Sequence, residues 1–368
     1  MAETSLRYPW AKPCFGRKEK EYVADALESS WISGGPYVER LEKEFIRRNG
    51  AAYGLSTSNG TTALHLALWA LGIGPGDEVI VPGFTFVAPG NMVLALGATP
   101  VFVDIDPKTW CLDPARIEAA VTPRTKAVIA VHVYGNVCDM DAILSVSRRL
   151  GLAVVEDAAE ATFSRHKGRC AGSMGDLGCF SFHATKTMTT GEGGFVLAQK
   201  RELWEKMRVI RDHGMRPGKR YWHDVVGHNF RLTNLQAALG CGQLESLEDR
   251  LQARRKVYER YVRRLSGLPG IELQSFAPDV DAVVWAVALR LDPERFSGRR
   301  DALIAQLGEA GIETRPGFYP FSLLPPYRCA PLPISESVGA NVLSLPSYPE
   351  LGEADVDHIC AEFQRLTK

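Results

Sequence analysis

Lys186 is the residue whose setting most clearly suggests chemistry. It follows the apolar, aromatic run 179–182, Cys-Phe-Ser-Phe, which predicts a short buried strand, and the glycine-rich turn 191–194 leads into a second such run, 195–198. A lysine at the end of a buried strand often packs its stem and keeps its amine in water. The alternative is a nucleophilic amine whose pKa is lowered so that it can attack an aldehyde. Residues elsewhere in the chain decide between these two interpretations.

Asp157 and Glu160 favour the nucleophilic interpretation. Asp157 comes directly after the apolar run 152–156, so it is predicted to lie at the carboxyl end of a strand, where a buried carboxylate needs a partner. The ring nitrogen of a pyridoxal cofactor would be such a partner, because an aspartate that keeps it protonated makes the ring an electron sink. Glu160 could hydrogen-bond the phenolic oxygen of the same ring. Taken singly, Asp157 is equally well a cap or loop residue, and Glu160 a surface residue.

The segment 58–62, Ser-Asn-Gly-Thr-Thr, lies where a predicted strand gives way to a helix, and it suits a phosphate group. Free backbone N–H groups and the positive end of the helix make such a junction an anion site, and Gly60 lets the backbone approach closely. Thr61 and Ser181 would add hydroxyl donors. Serine and threonine also cap helices in their own right, so the phosphate interpretation depends on the whole segment.

These residues need elements that bring them to one edge of a sheet. From residue 53 onward, runs rich in Val and Ile alternate with helical patterns, with strands predicted at 53–56, 78–81, 100–105, 127–133 and 152–156 and helices at 63–71, 91–96, 114–120 and 140–150. This alternation predicts an α/β fold with a mostly parallel sheet and helices on both faces. Ligands bind at the carboxyl ends of such strands. Phe86 follows one of them and is expected to stack on the cofactor, although aromatics in apolar stretches are more often core residues.

Two domains are predicted. Residues 1–245 form the large α/β domain, which includes an N-terminal helical segment, and the highly charged stretch 248–265 leads into a smaller α+β domain, residues 246–368. In the smaller domain we expect a strand at 283–291, helices at 299–310 and 353–366, and a loop rich in proline and aromatic residues at 315–333.

Composition excludes several classes of protein. Lys and Arg total 43, as do Asp and Glu, so the formal net charge is zero and nothing favours nucleic acid or a membrane surface as a partner. The eight cysteines have no Cys-x-x-Cys spacing, which argues against a zinc site or a disulfide framework. His223 and His228 lack a third ligand, so no metal is expected. With neither a signal peptide nor an apolar run of membrane-spanning length, we expect a cytoplasmic enzyme.

Six blocks of sequence, taken together and in order, resemble the DegT/DnrJ/EryC1/StrS family of pyridoxal-phosphate-dependent sugar aminotransferases. The resemblance runs from about residue 31 to the end of the chain, and its blocks are residues 31–36, 58–64, 77–82, 155–160, 180–186 with 191–194, and 229–234. Residues 220–229 look most like the GDP-perosamine synthase branch of this family. Any one block alone would be weak evidence.

The resemblance implies an aspartate-aminotransferase-like fold (PLP fold type I) and a homodimer with active sites at the subunit interface. Lys186 would bind pyridoxal 5′-phosphate and move the proton during transfer, and Asp157 would hold the pyridine nitrogen. The other implied cofactor contacts are Gly60, Thr61 and Ser181 at the phosphate, Phe86 on the ring, Glu160 at the phenolic oxygen, where many relatives carry Gln, and Asn229 from the neighbouring subunit. The family's amino donor is usually L-glutamate and its acceptor a nucleotide-linked keto-sugar.

The main hypothesis is amino transfer from L-glutamate to a nucleotide-linked 4-keto-6-deoxy sugar. A 3-keto sugar nucleotide or a keto-cyclitol is an alternative acceptor, and GDP, UDP and dTDP remain open. A non-catalytic sensor or regulator would have no need of the lysine amine. A dehydratase branch of the family replaces the lysine by histidine, whereas this chain keeps Lys186, and His183 is expected to be a pocket wall. Candidate sugar contacts are His183, Arg220, Tyr221, His228, Arg315 and Tyr319.

Overall fold

The computed structural model describes residues 6–327 and 329–368. The first five residues of the predicted large domain and residue 328 of the predicted loop lie outside the described residues. The strands are β1 (Tyr53–Thr57), β2 (Glu78–Pro82), β3 (Thr99–Val103), β4 (Thr125–Val131), β5 (Ala153–Asp157), β6 (Arg165–His166), β7 (Arg169–Cys170), β8 (Leu177–Ser181), β9 (Gly194–Ala198), β10 (Ile271–Leu273), β11 (Val280–Asp281), β12 (Val287–Leu291), β13 (Arg315–Pro316) and β14 (Val342–Leu345). The α-helices are α1 (Arg17–Glu28), α2 (Pro36–Asn49), α3 (Gly60–Ala70), α4 (Ala88–Ala95), α5 (Ile117–Ala120), α6 (Met140–Leu150), α7 (Arg201–Arg211), α8 (Asn234–Glu245), α9 (Leu247–Leu265), α10 (Arg300–Glu309), α11 (Pro333–Asn341) and α12 (Glu353–Thr367). Of the helices in these described ranges, none is both long enough and apolar enough to cross a bilayer.

The central sheet has seven strands in the order β1-β9-β8-β5-β4-β2-β3. The pairs from β8 to β3 are parallel, and β9 is antiparallel to both of its neighbours, so β9 alone runs against the others. Val79 and Val81 pack into one hydrophobic cluster, whereas Ile80 between them packs into another on the opposite face. Apolar side chains therefore cover both faces of the sheet, as expected of parallel strands. The predicted α/β class with a mostly parallel sheet is confirmed.

The carboxyl ends of three strands carry the segments that the sequence singled out. β5 ends at Asp157, β8 ends at Ser181 with Lys186 in the turn that follows, and β1 is followed by α3. The helix begins at Gly60, three residues before the predicted start, because Asn59 caps it: its side chain accepts a hydrogen bond of 2.8 Å from the backbone N–H of Thr62. The fold thus brings Asp157, Ser181, Lys186 and the start of α3 to the same end of the central sheet.

A second sheet, β10-β12-β14-β13, is antiparallel and lies in the C-terminal part of the chain. The strand predicted at 283–291 begins only at Val287. The reason is that the preceding backbone pairs with the large sheet's loops: the N–H of Val283 donates to Ser164 Oγ at 2.9 Å and that of Trp285 to the carbonyl of Tyr134 at 3.1 Å. The strand prediction was therefore four residues too long.

The N-terminal segment before α1 joins the C-terminal part of the chain. Tyr8 packs in the hydrophobic cluster that contains Tyr261, Leu289 and Phe363, and its backbone N–H donates to the carbonyl of Gly311 at 2.9 Å. This contact connects the predicted large domain to the predicted small one. The division at residue 245 stays a prediction; the break between α8 and α9 falls at the next residue.

Asp104, just after β3, fixes helix α11, which the sequence patterns did not predict. Its side chain is buried, and its two oxygens accept hydrogen bonds from the backbone N–H groups of Ile334 (2.9 Å) and Ser335 (2.7 Å) and from the Ser335 hydroxyl (2.6 Å). A carboxylate that satisfies the free N–H groups of a helix start also favours the helix dipole. Asp104 therefore attaches α11 to the central sheet.

We expect Asp104→Asn to lower the free energy of unfolding by about 1–3 kcal/mol, because an amide group would turn N–H donors toward the N–H groups of α11. Urea denaturation followed by circular dichroism measures the loss. Asp357→Asn is the control: Asp357 pairs with Arg264 on the exposed surface, where ion pairs contribute little. Equal losses in the two variants would contradict the buried-cap interpretation.

Candidate active site

A cavity of about 850 Å³ opens at the carboxyl edge of the central sheet. Its size is that of a site for a small molecule or cofactor. Ten of the predicted site residues line it: Gly60, Thr61, Phe86, Asp157, Glu160, Ser181, His183, Lys186, Arg315 and Tyr319. The fold thus brings together residues from segments that are far apart in sequence.

Lys186 lies at the floor of this cavity and is largely shielded from solvent, so it is not a snorkelling surface lysine. Its side chain is 13% exposed, and Nζ lies 3.5 Å from Glu160 Oε1. Burial lowers the pKa of the amine, while the carboxylates of Glu160 and Asp157 oppose that shift. A lowered pKa increases the fraction of neutral amine, which is the nucleophilic form.

Asp157 and Glu160 are buried carboxylates beside the amine, and burial raises the pKa of each. Oδ1 of Asp157 accepts a hydrogen bond from the backbone N–H of Ala159 at 3.0 Å. Oε2 of Glu160 accepts one from the N–H of Tyr134 at 2.9 Å. Tyr134 adopts a left-handed backbone with φ of 59°, which is unusual for a residue with a side chain. Such strain near a site is consistent with a functional constraint.

The start of α3 lies against Ser181 at the side of the cavity. A Cβ atom added to Gly60 would lie 2.8 Å from the Cβ of Ser181, which is closer than such atoms approach. Only glycine therefore lets the helix start approach β8 this closely. Gly60, Thr61 and Ser181 form a wall of backbone N–H and hydroxyl groups, which is suited to an anion.

Phe86 and its neighbour Phe84 have different environments. Phe84 is fully buried in the core, whereas Phe86 is 56% exposed and lines the cavity. The ring of Phe86 contacts Phe318 edge to face, with centroids 6.2 Å apart. Phe86 is therefore not a core residue, and one face of its ring is available to a ligand.

His183, Arg315 and Tyr319 lie at the mouth of the cavity. His183 is exposed, with Nδ1 3.1 Å from Thr185 Oγ1. Arg315 forms an ion pair of 2.6 Å with Glu313, and Tyr319 is 55% exposed. These three side chains can reach a bound molecule from the solvent side, and their role as sugar contacts stays a prediction.

Arg220, Tyr221, His228 and Asn229 do not line this cavity. Arg220 and Tyr221 lie on the exposed segment after α7, where Tyr221 is 78% exposed. The His228 ring stacks on Phe230 at 4.7 Å, and Oδ1 of Asn229 accepts a hydrogen bond of 3.1 Å from Arg231. Asn229 was predicted to act in the neighbouring subunit's site, and for all four residues the predicted roles stay predictions.

Aromatic residues that sequence reasoning missed form the other walls: Trp10, Tyr134, Trp285 and Phe318. Tyr134 follows β4 closely, so the rule that selected Asp157 at the end of β5 also points to it. Trp10 precedes the resembling region and Trp285 lay inside a predicted strand, so nothing local marked either. Their contacts span long sequence separations: the ring N–H of Trp10 donates to Ser344 Oγ at 2.8 Å.

Comparison with known proteins agrees with this geometry. The sequence model of the DegT/DnrJ/EryC1/StrS aminotransferase family matches residues 13–364. The chain is 45% identical to GDP-perosamine synthase of Caulobacter vibrioides over 97% of each chain. It is similar to the solved structure of S. venezuelae DesV, with 37% identity, a TM-score of 0.90 and coverage of 95% and 94% of the two chains. It is also similar to the PLP-form of Spr1654 from Streptococcus pneumoniae, with 29% identity, a TM-score of 0.92 and 98% coverage of each chain.

These matches confirm three predictions from sequence: the aspartate-aminotransferase-like fold, the likeness to the GDP-perosamine synthase branch, and the enzyme class. They extend over nearly the whole of each protein, so they cover the central sheet, the C-terminal sheet and the cavity that Lys186 and Arg315 line. The chain belongs to the DegT/DnrJ/EryC1/StrS aminotransferase family.

Proposed function

We propose that the protein is a pyridoxal 5′-phosphate-dependent aminotransferase that transfers an amino group from L-glutamate to a nucleotide-linked 4-keto-6-deoxy sugar. The observation that carries the proposal is the buried amine of Lys186, 3.5 Å from Glu160, at the floor of a cavity large enough for a cofactor. A binding protein would gain nothing from burying a lysine at this cost in desolvation.

The residues of the cavity fit this cofactor. Gly60, Thr61 and Ser181 offer donors to a phosphate at a site that a side chain at position 60 would block. Asp157 is a buried carboxylate suited to a cationic ring nitrogen, and Phe86 offers a free aromatic face. Lys186 would hold the aldehyde carbon. When bound, the cofactor supplies an electron sink that stabilises a carbanion at the carbon being deprotonated.

Lys186 also provides the base that amino transfer requires. Burial lowers the pKa of its Nζ and thereby increases the fraction of neutral amine, which can accept a proton. Glu160 holds the amine in place, because its other oxygen is fixed by the N–H of Tyr134. The side chains of Lys186 and Glu160 are 13% and 7% exposed, so proton transfer would occur between positioned groups.

The name of a relative supports the proposed acceptor, and L-glutamate is proposed as the donor because the family resemblance implies it. GDP-perosamine synthase of Caulobacter vibrioides, to which the chain is 45% identical, carries a GDP-linked sugar in its name, and we propose GDP as the nucleotide here. His183, Arg315 and Tyr319 line the cavity and would contact the sugar or the donor. A 3-keto sugar nucleotide or keto-cyclitol would use the same floor.

The proposal includes a cytoplasmic homodimer. Asn229, Arg220, Tyr221 and His228 lie outside their own chain's cavity, which is consistent with a role in the neighbouring subunit's site. Exposed apolar side chains on the same segment, including Val226 at 75% exposure, are suited to a protein interface.

Lys186→Ala should abolish covalent retention of pyridoxal phosphate, because no other amine lies at the floor of the described cavity. Reduction with borohydride, followed by peptide mass spectrometry, should place the cofactor on Lys186 in the wild type. Lys200→Ala is the control: Lys200 is exposed and pairs with Asp176, and its loss should leave retention unchanged. A wild type that never retains the cofactor would refute the proposed function.

Asp157→Asn should slow the half-reaction with L-glutamate by about 10²- to 10³-fold, since the charge that stabilises the transition state is lost while the shape is kept. Stopped-flow measurement of the cofactor's visible absorbance gives the rate. The control is Asp176→Asn, because Asp176 precedes β8 at the opposite edge of the sheet. A variant at position 157 that reacts at the wild-type rate would remove Asp157 from the mechanism.

The substrate is tested by incubation with L-glutamate and GDP-, UDP- and dTDP-linked 4-keto and 3-keto sugars. We expect a product whose mass shows replacement of the keto oxygen by an amino group, formed fastest from the GDP-linked 4-keto sugar. Turnover of 3-keto sugars alone would establish the alternative acceptor. If the protein retains the cofactor but transfers no amino group from glutamate to any of these acceptors, the result would favour a non-catalytic sensor or regulator.

A further inference from the structure

The amine of Lys186 contacts an aromatic face as well as a carboxylate. Nζ lies 3.7 Å from the ring centroid of Trp285, well inside the distance of about 6 Å at which a cation is attracted by an indole face. Trp285 is 7% exposed and the Lys186 side chain 13% exposed. The contact is therefore largely shielded from water, the condition under which it is strongest.

Trp285 is held so that its face stays on the amine. Its ring N–H donates to the carbonyl of Thr185 at 2.7 Å, its backbone N–H to the carbonyl of Tyr134 at 3.1 Å, and its own carbonyl accepts from Arg254 at 3.2 Å. The Trp10 ring packs against it edge to face, with centroids 5.3 Å apart. Trp285 is thus held by the turn that carries Lys186, by the loop after β4 and by α9.

The carboxylates near Lys186 are poor permanent counter-charges. Burial raises the pKa of both Glu160 and Asp157, so each can itself take up a proton as the pH falls. The other charged or titratable side chains that line the cavity are Tyr134, His183, Glu192, Arg315 and Tyr319, and Arg254 donates to the backbone carbonyl of Trp285. Within the described ranges Nζ contacts one carboxylate and one indole face, and of these two only the indole face does not itself take up a proton as the pH falls.

We propose that Trp285 is a positioning residue for Lys186. Its indole face holds the ammonium form of Nζ whenever the amine is not attached to the cofactor, and its ring N–H fixes the lysine's backbone through Thr185. The inference deepens the proposed function and rests on it for its role in the reaction. Burial alone would lower the amine's pKa; Trp285 limits that shift and keeps the amine over the floor of the cavity.

The test measures the titration of Lys186 in the cofactor-free full-length protein. Competitive acylation over a range of pH, with peptide mass spectrometry, gives the pH midpoint of each lysine; Lys126, on the exposed surface, is the internal reference. In Trp285→Leu the midpoint of Lys186 should fall by roughly one unit, a tenfold change. Trp285→Phe keeps a π face and should shift it by less than half as much.

The direction in which the Lys186 midpoint moves distinguishes loss of the ring's attraction for the ammonium from entry of water into the cavity. Water entering the space left by leucine would raise the midpoint, so a fall cannot come from a looser cavity. An unchanged or raised midpoint in Trp285→Leu, or an equal fall in the leucine and phenylalanine variants, would overturn the inference. Because neither cofactor nor substrate is present, the result is independent of whether the protein proves to be an aminotransferase.

A second measurement covers the case in which the leucine variant does not fold. In the wild type, indole ultraviolet absorbance should change with pH at the same midpoint as acylation of Lys186, because the charge forms and vanishes over the ring. Lys186→Met should abolish that change. A wild type without an indole signal at this midpoint would also overturn the inference.

Discussion

The structure depends on removing one amine from water. Lys186 loses most of its hydration at the carboxyl ends of the central strands, and the free-energy cost of this loss must be offset by groups placed around it. Glu160 and Trp285 contact Nζ directly, and Asp157 acts from slightly farther away. These groups come from the loop after β5, the segment before β12 and the end of β5. Elements that are distant in sequence and held together by the apolar clusters thus meet around one amine.

Local sequence patterns were sufficient to predict much of the structure at the carboxyl ends of the central strands. Alternation of Val- and Ile-rich runs with helical patterns predicted the parallel strands, because buried strands need continuous apolar runs. Asp157 was recognisable because it directly follows such a run, Lys186 because it lies four residues after one, and Gly60 because a helix start beside a strand needs a small residue. Position at the carboxyl end of a predicted strand therefore indicates a site residue better than its residue type alone.

Other features depended on contacts that no local pattern encodes. Helix α11 exists because Asp104, some 230 residues earlier, accepts hydrogen bonds from its first N–H groups. The strand predicted at 283–291 begins late because the backbone of Val283 and Trp285 pairs with residues of another sheet's loops. The sequence pattern therefore placed Trp285 in a strand, whereas in the structure it lines the cavity. Only the assembled fold shows which backbone N–H and C=O groups of this segment are free to pair with a neighbouring strand.

The contact between Trp10 and Ser344 has a consequence for synthesis on the ribosome. Residues 334 positions apart meet in it, so the N-terminal segment leaves the ribosome long before β14 exists. During that interval Trp10 and Tyr8 have no native partner from the C-terminal part, and the cavity lacks one wall. Since domains fold as units while the chain is being made, N-terminal parts first, the central sheet can form early. The site is then completed only when the last strand arrives, and catalysis cannot precede it.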